Sequence, residues 1–410
     1  MKYLITPPSY PIKASVKLPA SKSISNRALI LNALSYSPYD ISNLSDCDDT
    51  EVMVRALNSN DSTFDIKAAG TAMRFMTAFL SKIVGEWVLI GSERMKNRPI
   101  RILVDALNSV GARIEYLEKE GFPPLKIYGS ALNGGEIELD GSVSSQYISA
   151  LLMVAPLMKD GLKLKLKGDI ISRPYINITL KMMEAFGVSA DWKGNIIEVK
   201  PQDYNPVPYT VESDWSAASY WYEIKSFSES SEIELCGLFE NSLQGDSFGA
   251  RLFEQLGVVT EFDKGTGVKL ISSGKSCDML EADLVNIPDL AQTFVVASVM
   301  KGVPFRFSGL QSLKIKETDR ITALKNECKK LGYVLNDYND SVLEWTGERC
   351  AADDIPVIST YEDHRMAMSF APAALLLPKG IVIDEPGVVS KSYPAFWNDL
   401  KGAGIDAREA

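Results

Sequence analysis

A helix-like segment that ends in glycine recurs along this chain, and an alternating, strand-like segment follows it each time. Two examples are "LVDALNSVGARIEY" and "LFEQLGVVTEF", and the successive glycines lie 76, 70, 75 and 72 residues apart. The five glycines are Gly111, Gly187, Gly257, Gly332 and Gly404. Glycine commonly follows the last turn of a helix because it adopts a left-handed backbone without strain. A fixed period of this kind indicates a fold built from repeated units.

A second series of helix-like segments keeps nearly the same step. Each segment is rich in Ala, Ser and Met and has few charges beyond its first turn, so we expect it to be buried on most sides. The series starts at Ser25, Gly70, Ser144, Ser213, Asp289 and His364. Six units follow, and the first is short, with "VRALNSNDSTFDI" as its degenerate helix-turn-strand. The amphipathic, glycine-ended helices would lie outside the buried series.

Short segments between the helices have the pattern of half-buried strands. "GEIELDG", "LKLKLKG", "SEIELCG" and "VPFRFSG" alternate apolar and polar residues and end in turn residues. A chain of 410 residues exceeds the usual size of one hydrophobic core, which favours two domains. The patterns together predict an α/β (α+β) fold of two domains, each with three strand-helix units and sheets packed around buried helices. A generic α/β protein with coincidental spacing is the alternative.

Composition excludes several classes of function. A net charge of −10 argues against nonspecific nucleic-acid binding, which needs basic surfaces. The N-terminal segment has no apolar core of signal-peptide length, and no window reaches the ~20 apolar residues of a membrane helix. We therefore expect a cytoplasmic protein with no membrane partner. Its five cysteines lie far apart with no C-x-x-C pair, as expected for free thiols.

Metal and nucleotide chemistry also find little support. His364 is the one histidine, so a site with several histidine ligands is impossible. The chain has neither a P-loop nor a strand-borne G-x-G-x-x-G motif. We expect neither a metal nor a cofactor.

Polar residues cluster at the N-terminal ends of the predicted buried helices. Capping explains Ser213 and Asp363, but it does not explain Lys22, Arg27, Gln146 and Arg365 beside apolar runs, where an unpaired charge is costly. Helix N-termini offer free N–H groups and partial positive charge, and therefore attract anions. We infer a small polyanionic substrate held between two domains.

Three further segments fit an anion site. "KIKETDR" places Lys316, Glu317 and Arg320 within one turn, and Arg98 precedes Pro99 at a helix start. Either segment alone is more typical of a solvated surface. Asp289 lies at the mouth of an apolar helix and by default is a cap. In a cleft lined by Lys and Arg, however, its carboxylate would be available as a base, with Glu317 as a complementary acid.

The assembled segments resemble the enolpyruvyl transferase family, specifically its branch that acts on shikimate 3-phosphate. Nine segments occur in that family's order and span nearly the whole chain: "LPASKSISNRAL", "AGTAMR", "RMKNRPI", "SSQYISALLM", "SRPYI", "NIPDLAQT", "KIKETDR", "TYEDHRMAM" and "SKSYP". The resemblance implies an inverse α/β barrel type of fold whose first strand belongs to the C-terminal half. It further implies domains at 1–18 plus 213–410 and at 19–212, a cleft that closes on substrate, and a monomer.

The resemblance also implies a reaction and its residues. The family transfers the enolpyruvyl group of phosphoenolpyruvate to the 5-hydroxyl of shikimate 3-phosphate through a tetrahedral adduct, with no metal or organic cofactor. The residues that would bind shikimate 3-phosphate are Lys22, Ser23, Arg27, Ser144, Ser145, Gln146, Ser172, Tyr175, Asp289, Ser312 and Lys316. Those that would bind phosphoenolpyruvate are Lys22, Gly70, Arg98, Gln146, Arg320, Arg365 and Lys391. Asp289 would take the hydroxyl proton, and Glu317 or Lys22 would protonate the methylene.

The chain departs from the family pattern at several positions. Ala68 and Ser312 stand where Asn is usual, Phe75 where Pro is usual, and Ser213 where Gly is usual. Substitutions at that Pro alter the response to the inhibitor glyphosate, so we expect altered sensitivity here.

Two rival functions stay open. One is the sister transferase that acts on UDP-N-acetylglucosamine, which shows Lys-Asn at Lys22-Ser23. The other is a noncatalytic anion-binding module; a purely structural repeat protein is disfavoured by the clustered cations.

Overall fold

A computed structural model of the chain describes residues 1–9, 11–171, 173–263, 267–316 and 318–410. Within them the α-helices are α1 (Lys22–Leu34), α2 (Asp48–Asn58), α3 (Gly70–Lys82), α4 (Arg101–Ser109), α5 (Ser145–Val154), α6 (Arg173–Ala185), α7 (Trp215–Phe227), α8 (Gly249–Gln255), α9 (Ala291–Lys301), α10 (Arg320–Lys330), α11 (His364–Phe370) and α12 (Phe396–Gly402).

The strands of the same described residues are short. They are β1 (Lys2–Thr6), β2 (Lys13–Lys17), β3 (Ile41–Ser42), β4 (Thr63–Asp65), β5 (Gly85–Ile90), β6 (Arg113–Tyr116), β7 (Leu125–Gly129), β8 (Gly135–Asp140), β9 (Leu162–Lys167), β10 (Asp191–Lys193), β11 (Ile196–Val199), β12 (Tyr209–Thr210), β13 (Glu232–Cys236), β14 (Val258–Asp263), β15 (Gly267–Ser272), β16 (Leu280–Asp283), β17 (Phe305–Ser308), β18 (Asn336–Tyr338), β19 (Val342–Trp345), β20 (Val357–Ile358), β21 (Ile381–Asp384) and β22 (Asp406–Glu409).

The chain divides into two compact units. The terminal unit comprises Met1–Pro19 and Glu212–Ala410, and the middle unit comprises Ala20–Val211. The chain therefore leaves the terminal unit after its second strand and returns to it just before α7. No helix in the described ranges is long and apolar enough to span a membrane.

The middle unit packs α1, α3 and α5 against one another at its centre. Every residue of α5 from Tyr147 to Val154 is buried, as the predicted buried series requires. The outer helix α4 buries Leu103, Val104 and Leu107 and leaves its other face more exposed, as an amphipathic helix does. Two four-stranded sheets surround these helices, in the orders β4-β5-β7-β6 and β8-β9-β11-β10. The α/β prediction with sheets around buried helices is confirmed.

The first repeat is short because it lacks a hairpin. Its two-residue strand β3 pairs in parallel with β12, and this sheet has only these two strands in the described part of the chain. The strand that follows α2, which we expected to complete the first unit, pairs in parallel with β5 instead. That expectation was therefore wrong: β4 begins the sheet of the second repeat.

The terminal unit has the same construction around α7, α9 and α11. Residues Trp215–Ser226 of α7 and all of α11 are buried. Its three sheets have the orders β2-β13-β15-β14, β16-β17-β19-β18 and β20-β21-β1-β22. In each sheet the first pair is parallel and the other two pairs are antiparallel. The N-terminal strand β1 thus occupies the position that a hairpin strand fills in the other sheets.

The five repeat glycines adopt the left-handed conformation predicted for them. Their φ angles are 101°, 87°, 90°, 87° and 89° in chain order, each just past a helix. One boundary prediction was wrong. The first buried helix begins at Lys22 rather than Ser25, so Lys22 and Ser23 lie in its first turn.

Pairing of β1 with β21 can be tested at Gly380, which has a φ of 77°. A Cβ added there would lie 2.1 Å from the carbonyl oxygen of Ile5 in β1. Gly302 is a matched control because its φ is 71° and a Cβ would meet nothing within 4 Å. Both Gly→Ala changes add ~1 kcal/mol of left-handed strain, and Gly380→Ala should lose a further ~1–3 kcal/mol by overpacking. Urea unfolding measures both, and equal losses would contradict the close approach.

Candidate functional site

Asp289 lies at the centre of a charge cluster in the terminal unit. It belongs to a 3-10 helix, Pro288–Leu290, immediately before α9, and its side chain is 19% exposed. Its Oδ1 accepts a hydrogen bond from Nη1 of Arg320 at 3.2 Å and lies 3.7 Å from Nζ of Lys316. Its Oδ2 accepts from Nη2 of Arg365 at 2.9 Å. The carboxylate therefore holds three cations together and does not act as a simple helix cap.

Arg320 joins this carboxylate to a second one. Its side chain is 1% exposed, and its Nε and Nη2 donate to the two oxygens of Asp363 at 2.7 and 3.3 Å. Asp363 also accepts from the backbone N–H of Arg365 at 2.9 Å, so it caps α11 as predicted. A guanidinium that binds a carboxylate through two N–H groups fixes both partners in orientation. The predicted cap at Ser213 is wrong, because the neighbouring Asp214 caps α7 by accepting from the N–H of Ser216.

The "KIKETDR" segment does not form one helical turn. Lys316 follows a 3-10 helix, Gln311–Ile315, with a non-helical backbone, whereas Arg320 opens α10. Asp319 caps α10, which explains why the helix starts only after it. Lys316 and Arg320 still meet, but through their shared contact with Asp289. Glu317, the predicted acid, lies outside the described residues.

Two other predicted residues of the terminal unit lie near these elements. The hydroxyl of Ser312 is buried and has no hydrogen-bond partner within the described ranges. Lys391 ends a 3-10 helix, Pro386–Lys391, that packs against α11. A buried hydroxyl without a partner is available to a ligand, since buried polar groups are otherwise nearly always hydrogen-bonded.

In the middle unit, Arg27 is held by the protein itself. It donates to Oγ1 of Thr179 at 2.7 Å, to Oγ of Ser149 at 3.1 Å, and to the carbonyl oxygens of Ser23 and Tyr175 at 2.8 and 3.2 Å. Burial lowers the pKa of Arg27 to about 10. Of the five N–H groups of a guanidinium, these four bonds leave few for a ligand. Arg27 therefore ties α1 to α5 and α6 and brings the predicted Ser23 and Tyr175 close to itself.

The start of α3 and Arg98 form a second cationic position. A Cβ on Gly70 would lie 2.5 Å from Nη1 of Arg98, so the guanidinium sits directly against the helix start. No side chain caps α3, and Arg98 makes no hydrogen bond or ion pair with any residue that the structure describes. Free N–H groups beside an available guanidinium suit an anion. Of the predicted residues nearby, Gln146 donates from Nε2 to Oγ1 of Thr71 at 3.1 Å.

The remaining predicted residues of the middle unit lie at helix starts. Ser144 caps α5 by accepting from the N–H of Gln146 at 3.4 Å, and Ser145 is the first residue of that helix. Lys22 lies in the first turn of α1, with its Nζ 3.7 Å from Oδ2 of Asp49. Ser172 lies outside the described residues.

Sequence reasoning missed a buried bridge made by Arg74. The side chain is 4% exposed, and it donates to the carbonyl oxygens of Gly70 at 3.0 Å and Pro99 at 3.3 Å. The hydroxyl of Tyr147 donates to the same Pro99 carbonyl at 2.6 Å. Arg74 therefore fixes the segment next to Arg98 against the start of α3. A charge in the middle of an otherwise apolar helix was the signal for it.

Four acidic or aromatic partners were also missed or under-interpreted. They are Asp49 beside Lys22, Asp363 beside Arg320, Tyr220 beside Arg365, and Asp246, a buried carboxyl near Asp289. Within the ranges that the structure covers, no three His, Cys, Asp or Glu side chains form a group that could hold a metal ion.

The chain resembles known proteins in both sequence and fold. A sequence model described as EPSP synthase (3-phosphoshikimate 1-carboxyvinyltransferase) matches residues 6–59 and 56–400. A Bacteroides fragilis (strain YCH46) protein called 3-phosphoshikimate 1-carboxyvinyltransferase is 61% identical over 406 residues, 99% of this chain and 98% of that protein. A Shewanella pealeana protein of the same name is 35% identical over 429 residues, 98% of this chain and 99% of that protein. A solved structure of EPSP synthase from Acinetobacter baumannii has the same fold, with a TM-score of 0.81 and 20% identity over all of both chains.

The Arg74 bridge predicts a large difference between two conservative substitutions in the middle unit. Arg74→Lys should destabilise the protein by ~1–3 kcal/mol, because a single ammonium cannot reproduce both guanidinium bonds to the Gly70 and Pro99 carbonyls. Arg101→Lys is the control, since Arg101 is 49% exposed and pairs with Glu120 at the surface. It should change stability by less than ~0.5 kcal/mol. Urea denaturation measures both free energies, and similar small losses would show that Arg74 bridges nothing of consequence.

Proposed function

The chain belongs to the EPSP synthase family, whose members are transferases, and we propose that it transfers the enolpyruvyl group of phosphoenolpyruvate to the 5-hydroxyl of shikimate 3-phosphate. Phosphate is the second product. The observation that best supports this reaction is the Asp289 carboxylate held against Lys316, Arg320 and Arg365. One potential base and three cations that could bind an anion therefore lie within a few ångströms of one another.

Charge and shape suit the cationic residues to phosphoenolpyruvate. This substrate has a phosphate and a carboxylate, and each can accept two parallel hydrogen bonds from a guanidinium. The guanidinium of Arg98, which has no hydrogen-bond or ion-pair partner among the described residues, lies against the start of α3 and offers this geometry. We assign phosphoenolpyruvate to Lys22, Gly70, Arg98, Gln146, Arg320, Arg365 and Lys391.

Shikimate 3-phosphate needs a phosphate site and hydrogen-bond partners for its hydroxyls. We assign it to Lys22, Ser23, Arg27, Ser144, Ser145, Gln146, Ser172, Tyr175, Asp289, Ser312 and Lys316. The buried, unpartnered hydroxyl of Ser312 supports this assignment. Arg27 donates four of its five N–H groups to protein acceptors, so at most one remains for the substrate.

In the proposed mechanism, Asp289 becomes a base when substrate binding removes some of its hydrogen-bond donors. Anionic substrate groups compete with Asp289 for the N–H groups of Arg320 and Arg365, and a carboxylate with fewer donors is a stronger base. Asp289 then takes the proton of the 5-hydroxyl, whose oxygen attacks C2 of phosphoenolpyruvate while Glu317 or Lys22 protonates the methylene. Phosphate then leaves the tetrahedral adduct with the electrons of its C–O bond, and a methyl proton returns to the group that supplied it, which restores the double bond. Proximity of two bound substrates supplies several kcal/mol of the ~7–11 kcal/mol available to well-oriented reactants.

The terminal and middle units are proposed as the two domains of this enzyme. Cytoplasmic location, a monomeric state and altered glyphosate sensitivity stay predictions. Phe75, on which the last depends, is fully buried, and the guanidinium of Arg27 lies 5.3 Å from its ring centre.

Release of phosphate on mixing the protein with both substrates tests the proposed reaction. We expect release to require both substrates, and we expect one enolpyruvyl ether to form for each phosphate. Either substrate alone is the control. Binding of both substrates without turnover would replace the proposal with a noncatalytic anion-binding module.

Asp289→Asn tests the role of the base. The amide keeps the size of the side chain but cannot accept the hydroxyl proton, so kcat should fall by ~10²–10⁴. Affinity for phosphoenolpyruvate should hold or increase, because one competing carboxylate is removed from Arg320 and Arg365. Asp278→Asn, at an exposed position, is the matched control and should change neither value. A retained kcat, or a loss of affinity as large as the loss of kcat, would reduce Asp289 to a structural ion pair.

A further inference from the structure

Asp246 is a buried carboxyl that the proposed reaction does not use. It lies in a 3-10 helix, Gly245–Phe248, and is 9% exposed. Its Oδ1 is buried without a hydrogen-bond partner in the described part of the chain. A buried carboxylate in this position would be costly, since no cation or N–H group of the described residues pairs with that oxygen.

The neighbours of Asp246 fix it in place beside the Asp289 cluster. The side chain of Gln244 accepts from the N–H of Trp215 at 3.0 Å and donates to the carbonyl of Ser213 at 2.7 Å, which ties the segment to the start of α7. On the other side, a Cβ added to Gly249 would lie 2.5 Å from Cδ1 of Leu290. The start of α8, which directly follows the Asp246 segment, is therefore packed against Leu290, the residue next to Asp289.

Charged groups from four neighbouring elements act on Asp246. Burial comes first and, with the negative charges of Asp289 and Asp214, raises the pKa of Asp246 to about 8, although Arg365 and Lys316 act in the opposite direction. Asp289 precedes α9, Asp214 caps α7, Arg365 lies on α11, and Lys316 follows the 3-10 helix Gln311–Ile315. A protonated Asp246 fits its surroundings at neutral pH.

Ionisation of Asp246 would change the charge balance of this region. Among the residues that the structure describes, and with Asp246 protonated, three cations (Lys316, Arg320 and Arg365) face three carboxylates (Asp289, Asp363 and Asp214). A fourth carboxylate would outnumber the cations. It would also attract Arg365 and Lys316, two of the groups assigned to the anionic substrates, and would repel those substrates.

We propose that Asp246 is a positioning residue that acts as a neutral acid, so that Arg365 and Lys316 stay available to bind anionic substrates. The inference rests on the proposed function, because it assigns those cations to substrate. Asp246 would not contact the substrate. Its protonation state would set the pH above which affinity for phosphoenolpyruvate falls.

The dependence on pH has a definite sign. If only the protonated form binds phosphoenolpyruvate well, the apparent affinity is lost as pH rises through the pKa of Asp246, which is about 8. One pH unit above that value, at about pH 9, the KM for phosphoenolpyruvate should be about tenfold higher than at about pH 6.5. The amide of Asp246→Asn does not titrate, so this variant should show a rise of less than about threefold over the same range.

The experiment compares, within each protein, the KM for phosphoenolpyruvate at the two pH values with shikimate 3-phosphate saturating. Glu212→Gln is the matched control. Burial also raises the pKa of Glu212, and Asp214 acts on both carboxyls, but the side chain of Glu212 accepts hydrogen bonds from the N–H of Leu243 and from Gln244, and neither Asp289 nor Arg365 is among the groups that act on it. The Glu212→Gln variant should keep the wild-type ratio between the KM values for phosphoenolpyruvate at the two pH values. A flat wild-type profile, or an unchanged ratio in Asp246→Asn, would overturn the inference. Absence of turnover in the wild-type protein at every pH would instead refute the proposed function.

Unfolding provides a second readout that does not depend on activity. The folded protein keeps a proton on Asp246 that an ordinary carboxyl of the unfolded chain releases near pH 4, so the contribution of this group to stability declines from about pH 4 to about pH 8. The stability of Asp246→Asn relative to wild type should therefore increase across that interval and level off above it. Asp246→Ala, which also lacks the titrating group, should show the same trend if the Asn variant folds poorly. A constant difference across this interval would contradict a protonated Asp246.

Discussion

Burial of the inner helices decides where charge can lie in this fold. Nearly all of α7, α9 and α11 is removed from water, so a charge along their length would be desolvated without compensation. Glu223, in the middle of α7, illustrates the constraint, since burial raises its pKa well above the usual range. The ionised groups of these three helices are instead found near the helix ends. In the terminal unit Asp214, Asp289 and Asp363 all lie at or just before the first turn of an inner helix.

The two units stabilise their cations in different ways. In the terminal unit carboxylates neutralise the guanidinium groups, as Asp289 and Asp363 do for Arg320. In the middle unit Arg27 and Arg74 are held by hydroxyls and backbone carbonyls, which fix a guanidinium without cancelling its charge. An anion added near Arg320 would therefore compete with the carboxylates of Asp289 and Asp363, whereas one near Arg27 would compete with hydroxyls and backbone carbonyls.

Periodic features of the sequence predicted the fold well, because burial repeats with the secondary structure. The alternation in "LKLKLK" became β9, and each repeat glycine became a left-handed residue past a helix. Boundaries set by local caps were less reliable: Ser25 resembles a cap, but the helix already starts at Lys22, and Asp319 delays α10 beyond Lys316. Pairings such as Arg320 with Asp363 join residues 43 positions apart and depend on packing that no local pattern reports. Asp246 was missed for the same reason, since only tertiary structure shows that its oxygen has no partner.

The position of β1 has a consequence for biosynthesis. A ribosome makes the chain from its N-terminus, and domains generally fold as units during synthesis. The middle unit is one continuous stretch, so its residues are all available once Val211 has emerged. The strand β1 pairs with β21 and β22, and the N–H of Ala410 donates to the carbonyl of Lys2 at 3.0 Å. The strand β1 must therefore remain without these two partners until β21 and β22 have been made, so its sheet is completed only after the whole middle unit has been synthesised.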